Sequence, residues 1–237
     1  MIRILIQSIY YQFLMFFRIK QAVFFTMFFP IFLFIVFGST WGTDFDDYIP
    51  FLLSGIIGMT IASDGLFAVG PVVKQYYSSG LIKYLRKLPF NILIHFSGLI
   101  ISRLAVVLLT ISLLCLTSYL LFGHVVPIAD YLDYLKGVFV GLFVFSFLGL
   151  AVTFSGIRNK ADNGIVNIVY FIILFTSNAF YPVDEYNNII GTIGHILPLN
   201  HILSILRGEG THLILMVWII FPILLFMFLF KNIKFNR

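Results

Sequence analysis

The sequence predicts an all-α integral membrane protein. Six transmembrane helices are expected, with an N-terminal interfacial amphipathic helix and an external re-entrant helical hairpin between spans five and six. Three observations carry that reading. Hydrophobic residues make up 60% of the 237 and charged residues only 11%, against about 25% charged in a soluble domain. Six apolar runs approach the roughly 20 residues needed to cross about 30 Å of hydrocarbon. The basic residues fall almost entirely in alternate loops. No composition shift marks a soluble appendage, so residues 1–237 read as one domain.

Residues 1–20 come first. Ile2, Leu5, Ile6, Ile9, Phe13, Phe16 and Phe17 recur at helical spacing, while Arg3, Gln7 and Arg18 occupy another face. That pattern predicts a helix lying at the membrane interface; an extension of the first span is the alternative. No short apolar core leads to a small-residue cleavage site, so no signal peptide is expected here.

The first span, Gln21–Thr40, is crowded with phenylalanine. Phe28 and Phe32 are candidates to line a path for an apolar or amphipathic molecule, with packing against lipid and neighbouring helices as the competing role. The loop that follows holds Asp44, Asp46 and Asp47. It lacks the glycine and late glutamate of a calcium loop, so a solvated external loop is expected and no metal site.

The second span, Ile49–Val73, contains one carboxylate, Asp64. An ionisable group at that depth is costly and is expected to face the protein interior or a water-filled path. It either contacts a substrate or a basic partner, or serves helix packing beside Ser63 and Gly65. Residues 74–91 then form a cytoplasmic loop. Ser78 or Ser79 can cap a short helix that Pro89 ends. Within it Leu81, Leu85 and Leu88 form one stripe, with Lys83, Arg86 and Lys87 elsewhere. Such a helix docks on a partner protein or on the anionic inner leaflet.

The third span, Ile94–Phe122, places Arg103 near its start, within reach of the cytoplasmic surface. It also holds the single cysteine, Cys115, which excludes a disulfide within the chain. The fourth is Tyr134–Phe154, followed by a short turn with Arg158 and Lys160. The fifth, Gly164–Phe180, has a polar edge at Asn167, Tyr170, Ser177 and Asn178, which either glues helices together or lines a pore. Residues 181–210 are the hairpin: Pro182 ends a helix, Pro198 breaks the next apolar run, and two amphipathic pieces flank that break. Backbone so irregular is tolerated at membrane depth only against protein or water; the alternative is a hairpin lying on the headgroups. The sixth span is Thr211–Phe230.

Thirteen of the 15 basic residues lie on one side of this arrangement, leaving Lys136 and Arg207 on the other. By the positive-inside rule both termini are cytoplasmic. The net charge of +5 is therefore a topology signal, and nucleic acid is not an expected partner. No Gly-x-x-x-x-Gly-Lys-Ser/Thr motif is present, so the chain is not expected to hydrolyse ATP by a P-loop. Its five histidines have no nucleophile or His-Glu-x-x-His arrangement around them.

Two stretches carry a family resemblance. The segment FYPVD, a spacer, LPLNH and a closing arginine resembles the connection between spans five and six of type-two ATP-binding-cassette (ABC) exporter permeases. Gly80-Leu81-Ile82-Lys83-Tyr84-Leu85-Arg86-Lys87-Leu88-Pro89 is similar to that family's coupling segment. Lys74-Gln75 departs from it, because an acidic residue is common there. The resemblance covers nearly the whole chain and implies a transport subunit of a bacterial-type inner membrane rather than an enzyme. It implies an ABC ATPase subunit as partner, which binds the ATP and Mg, and a second permease, identical or a sister chain. This chain itself would bind no cofactor. Ser79, Gly80, Leu81, Leu85 and Arg86 would couple to the ATPase, and Phe180, Tyr181 and Pro182 would form an external gate. A small amphipathic molecule, drug or peptide is the expected cargo, with a lipid or lipid-linked polysaccharide as the alternative. An ion-coupled transporter working through Asp64 is the rival from another class, but it predicts broken helices in both halves.

Overall fold

The computed structural model describes residues 2–42, 47–80, 92–155, 162–210 and 213–232. All regular structure among them is helical. Helix α1, Ile2–Arg18, is amphipathic and ends at Ile19, whose extended ψ of 87° separates it from the next helix. Helix α2 spans Lys20–Trp41. It contains a π-helical turn at Phe24–Phe28, where the Phe29 N–H reaches back to the Phe24 carbonyl. Pro30, which has no N–H to donate, follows directly.

Helix α3 runs through Tyr48–Asp64, a second π turn at Gly65–Val69, and Gly70–Ser78. It is the central helix, buried over nearly its whole length. Small residues let other backbones come close to it. A side chain at Gly55 would overlap the Ala179 carbonyl, and one at Gly70 the Gly149 carbonyl. Gly80, with φ +74°, closes this helix in the left-handed conformation that glycine adopts without strain.

Helix α4, Ile92–Phe122, and helix α5, Ile128–Ser155, pack beside α3. Helix α6 is Asp162–Phe175, and a single turn, α7, follows at Val183–Tyr186. Helices α8, Asn188–Ile196, and α9, Pro198–Leu206, meet at 82°. Pro198 occupies the first turn of α9, where its missing N–H costs nothing. Helix α10 is Leu213–Asn232.

Among the described residues four helices are long and apolar enough to cross a membrane: Lys20–Trp41, Tyr48–Tyr76, Gly98–Phe122 and Ile128–Ser155. Gly164–Phe175 and Leu213–Leu229 are shorter apolar helices. The fifth apolar run therefore stops at Phe175 rather than Phe180. Proline is not what stops it. The Asn178 N–H leaves the helical ladder to bond Asn200 Oδ1 at 2.8 Å, while Ser177 Oγ donates back to the Leu174 carbonyl at 2.7 Å. Helix α5 begins earlier than the fourth apolar run, at Ile128. Its first turns carry an Asp133–Lys136 pair, 2.6 Å apart, on the side of the molecule where α9 ends.

Helix α1 and the bent pair α8–α9 lie at opposite ends of α3. Near one end, Gln12 donates to the Tyr76 hydroxyl at 3.2 Å, and Gly98 of α4 packs on Ser8. Near the other, the Tyr48 hydroxyl donates to the Phe180 carbonyl at 3.2 Å.

Candidate functional site

The densest polar structure among the described residues sits under the bent pair. Arg207, just past the last turn of α9, sends Nε to Ser54 Oγ at 2.9 Å and Nη2 to the Asn178 carbonyl at 2.7 Å. Its guanidinium lies 4.0 Å from the centre of the Phe51 ring. One cation thus ties the start of α3, the turn after α6 and the end of α9. The fork geometry of arginine suits this, because its donors diverge in one plane.

Every polar atom of Asn178 is engaged. Its N–H bonds Asn200 Oδ1, its carbonyl takes Arg207, its Oδ1 accepts from the Val183 N–H at 3.0 Å, and its Nδ2 donates to Asp184 Oδ2 at 2.7 Å. His195 Nε2 approaches the same carboxylate oxygen at 3.1 Å. His201 Nε2 lies 2.8 Å from the His195 carbonyl. A carbonyl only accepts, so that ring nitrogen carries the proton. Asn187 caps α8 by accepting from the N–H groups of Ile189 and Ile190.

Helix α8 presses its glycine face onto this cluster. A Cβ at Gly194 would overlap the Thr176 carbonyl, and one at Gly191 would overlap Asp184 Oδ1. Sealed beneath that face, Asp184 Oδ1 and Asn200 Nδ2 have no hydrogen-bond partner among the described residues. Each such group costs about 1–3 kcal/mol. The seated position of α8 is therefore held by packing against a polar cost.

The second polar feature lies inside the bundle. Asp64, with a side chain 1% exposed, faces Arg103 of α4 at 3.6 Å. Arg103 also lies over the Phe16 ring of α1, 5.3 Å from its centre. Arg103, within reach of the cytoplasmic surface by its place in the sequence, thus also has a buried carboxylate as partner. Asp64 faces a basic group of the same chain.

The remaining sequence candidates scatter. Phe28 and Phe32 are exposed on the outer side of α2, and Asn167 is exposed on α6. Tyr170 points the other way: it is buried and edge-on to Phe67 at 5.4 Å. Phe180 packs edge-on to Phe37 at 5.4 Å; Tyr181 is exposed beside Tyr186, and Pro182 precedes the single turn of α7. Ser79 is exposed at the end of α3, next to Gly80. Leu81, Leu85 and Arg86, with the amphipathic stripe around them, lie outside the described residues, as do Asp44, Asp46, Arg158 and Lys160. Sequence reasoning missed the Arg207 hub. Its signal was a lone arginine on the side poor in basic residues, next to an apolar helix, where a cation needs partners.

A family model described as ABC-2 type transporter matches residues 5–209. No curated protein matches the chain.

Proposed function

Because the chain belongs to the ABC-2 type transporter family, the membrane domain of a transport subunit, we propose that it is the permease of an ABC exporter. ATP is hydrolysed by a separate ATPase subunit, which holds the ATP and Mg, and this chain works beside a second permease, identical or a sister. The cargo is a small amphipathic molecule, drug or peptide moved outward. The observation that carries the reading is the family match over most of the chain.

In this reading α6 and α10 are the fifth and sixth spans, α1 lies on the cytoplasmic interface, and α8–α9 is the re-entrant pair outside. The opposite placement of α1 and the bent pair along α3 supports it. So does the charge pattern: Arg3, Arg18 and Lys20 belong to the α1 end, while Lys136 and Arg207 lie at the other. Residues 74–91 receive the push of the ATPase through Ser79, Gly80, Leu81, Leu85 and Arg86. Phe180, Tyr181 and Pro182, carried by the turn that Asn178 and Arg207 fix, form the outer gate. Phe28, Phe32 and Asn167, exposed on a single chain, face the second permease and the path between the two. Tyr170 and Asp64 hold that wall in shape from behind.

A mild-detergent pull-down of the tagged chain from a host containing its natural partners, assayed for ATP hydrolysis, tests the core of this. The parent should bring down an ATPase subunit, and Leu81→Asp and Arg86→Glu should lose it. A parent chain that purifies alone would sink the proposal.

A further inference from the structure

Between the bent pair and the start of α10 lies a cavity of about 370 Å³, within the roughly 300–1,000 Å³ of small-molecule sites. Its wall carries both signs of charge. Arg207 lines it, and Nη1 makes no hydrogen bond among the described residues and is not sealed from solvent. That leaves a cationic fork edge open to an anion, while the rest of the guanidinium is already fixed. Glu209, exposed at the rim, presents a carboxylate to the same space, and Asp184 adds the edge of Oδ2, the oxygen that also takes Asn178 and His195. Ser204 adds a hydroxyl whose own proton goes to the Asn200 carbonyl at 3.0 Å, so toward the cavity it can only accept. The cavity therefore complements a ligand with an anionic group beside a cationic donor.

The surroundings are apolar. Ile214 closes one side of the cavity. Beyond it Leu213, Met216 and Val217 of α10 and Ile193 and Ile196 of α8 are exposed. The two helices meet where Trp218 Nε1 donates to the Ile196 carbonyl at 2.7 Å. A charged pocket opening beside two exposed apolar helix faces fits a molecule with a polar head and a hydrocarbon tail.

We propose that this cavity binds the zwitterionic headgroup of a membrane lipid, its phosphate toward Arg207 and its ammonium toward Glu209 and Asp184, with the acyl chains along α8 and α10. The site stands on the geometry of this chain alone and is independent of ATPase coupling.

The test uses the full chain in detergent in a Trp41→Phe background, which leaves Trp218 as the single tryptophan. Trp218 fluorescence is titrated with dihexanoyl-phosphatidylethanolamine, dihexanoyl-phosphatidylglycerol and free phosphoethanolamine. Phosphatidylethanolamine should bind saturably. Phosphatidylglycerol, which lacks the ammonium, and phosphoethanolamine, which lacks the chains, should each bind about tenfold or more weaker, the scale of one lost charged or apolar contact set. Glu209→Gln should bring the two lipids within about threefold of each other, on the same scale. Ser204→Phe fills the cavity without touching its charges, and should abolish binding while the chain still elutes as a folded species. Equal binding of the two lipids by the parent would overturn the proposal. So would unchanged affinity in folded Ser204→Phe. Equal binding of free phosphoethanolamine would overturn the lipid and leave a soluble zwitterion as occupant.

Discussion

Replacing Arg207 isolates the one side chain that joins three segments. Arg207→Met keeps much of the stem and removes the guanidinium. The loss comprises two hydrogen bonds to a charged donor, at 2.9 and 2.7 Å, worth about 1.5–3 kcal/mol each, and a face contact with Phe51 worth about 0.5–2 kcal/mol. The 3.5 Å approach to the Phe51 carbonyl is too long to count. Against this, removing a half-buried cation recovers part of its desolvation cost, so the net loss should be about 3 kcal/mol. Ser54 softens it little, since its hydroxyl already donates to the Phe51 carbonyl, whereas the Asn178 carbonyl is left without a donor. Arg207→Lys separates charge from shape. An ammonium reaches one of the two acceptors and cannot stack flat on the ring, so it should retain about half of the stability. Both variants are measured by unfolding in mixed detergent micelles, followed by intrinsic fluorescence. A methionine variant within about 0.5 kcal/mol of the parent, or a lysine variant indistinguishable from it, would refute the role given to the fork.

Other substitutions probe the neighbouring contacts. Gly194→Ala puts a methyl group into the Thr176 carbonyl and should lift α8 at a cost of about 1–3 kcal/mol; Thr192→Ala, on the exposed side, should change stability by less than about 0.5 kcal/mol in the same unfolding assay. Asp64→Asn leaves Arg103 facing a neutral group in the interior and should destabilise by about 3 kcal/mol or more, with Asp64→Asn/Arg103→Gln recovering part of it; a single variant as stable as the parent would show that the pair is idle. Trp218→Phe removes the bond to the Ile196 carbonyl together with part of the ring that packs on the core and should cost about 1–2 kcal/mol in the same micelles. In the assembled transporter, Tyr181→Ala and Pro182→Ala should lower efflux while leaving ATPase binding intact, and unchanged efflux would remove the gate.

The apolar runs and the bend at Pro198 were legible because both follow from local chemistry: hydrocarbon-length runs and a missing N–H. What local reading could not supply were contacts made across long separations. The end of α6 is decided by Asn200, 22 residues away, so a reading based on the nearer proline placed it at Phe180. Asp64 was legible as a group in need of a partner, but the partner was left unnamed, since nothing in the neighbourhood of Arg103 shows that a carboxylate lies opposite. The cap at Asn187 and the one-turn α7 had signals of their own, an Asn before Ile189-Ile190 and an Asp-Glu pair after Pro182, too short to register as periodicity. Arg207 registered as the end of a motif, while its role depends on Phe51, Ser54 and Asn178, on two other segments.

Helix α3 links all of these. One of its ends holds Arg207 and the Phe180 carbonyl; the other takes Gln12 through Tyr76 and leads through Gly80 into residues 81–91. Along its middle, Gly65 and Gly70 meet Phe145 and the Gly149 carbonyl of α5 at distances that leave no room for a Cβ. Surfaces in such contact do not slide past one another without separating, since close-packed interiors rearrange in discrete steps. Helix α9 belongs to the same body, because Leu199 and Leu203 pack on Gly58 and Leu206 on Gly137. A push delivered below, in the permease reading, therefore moves α3, α5 and α9 together and carries Arg207 with them. In that reading the yielding joints are the two that flank α8, Leu197 before α9 and Asn187 after α7. Both are already extended in backbone: Leu197 at φ −81°, ψ 154°, and Asn187 at φ −151°, ψ 103°. Between them sits α8, the helix that covers two unsatisfied polar groups, and lifting it would return both to water.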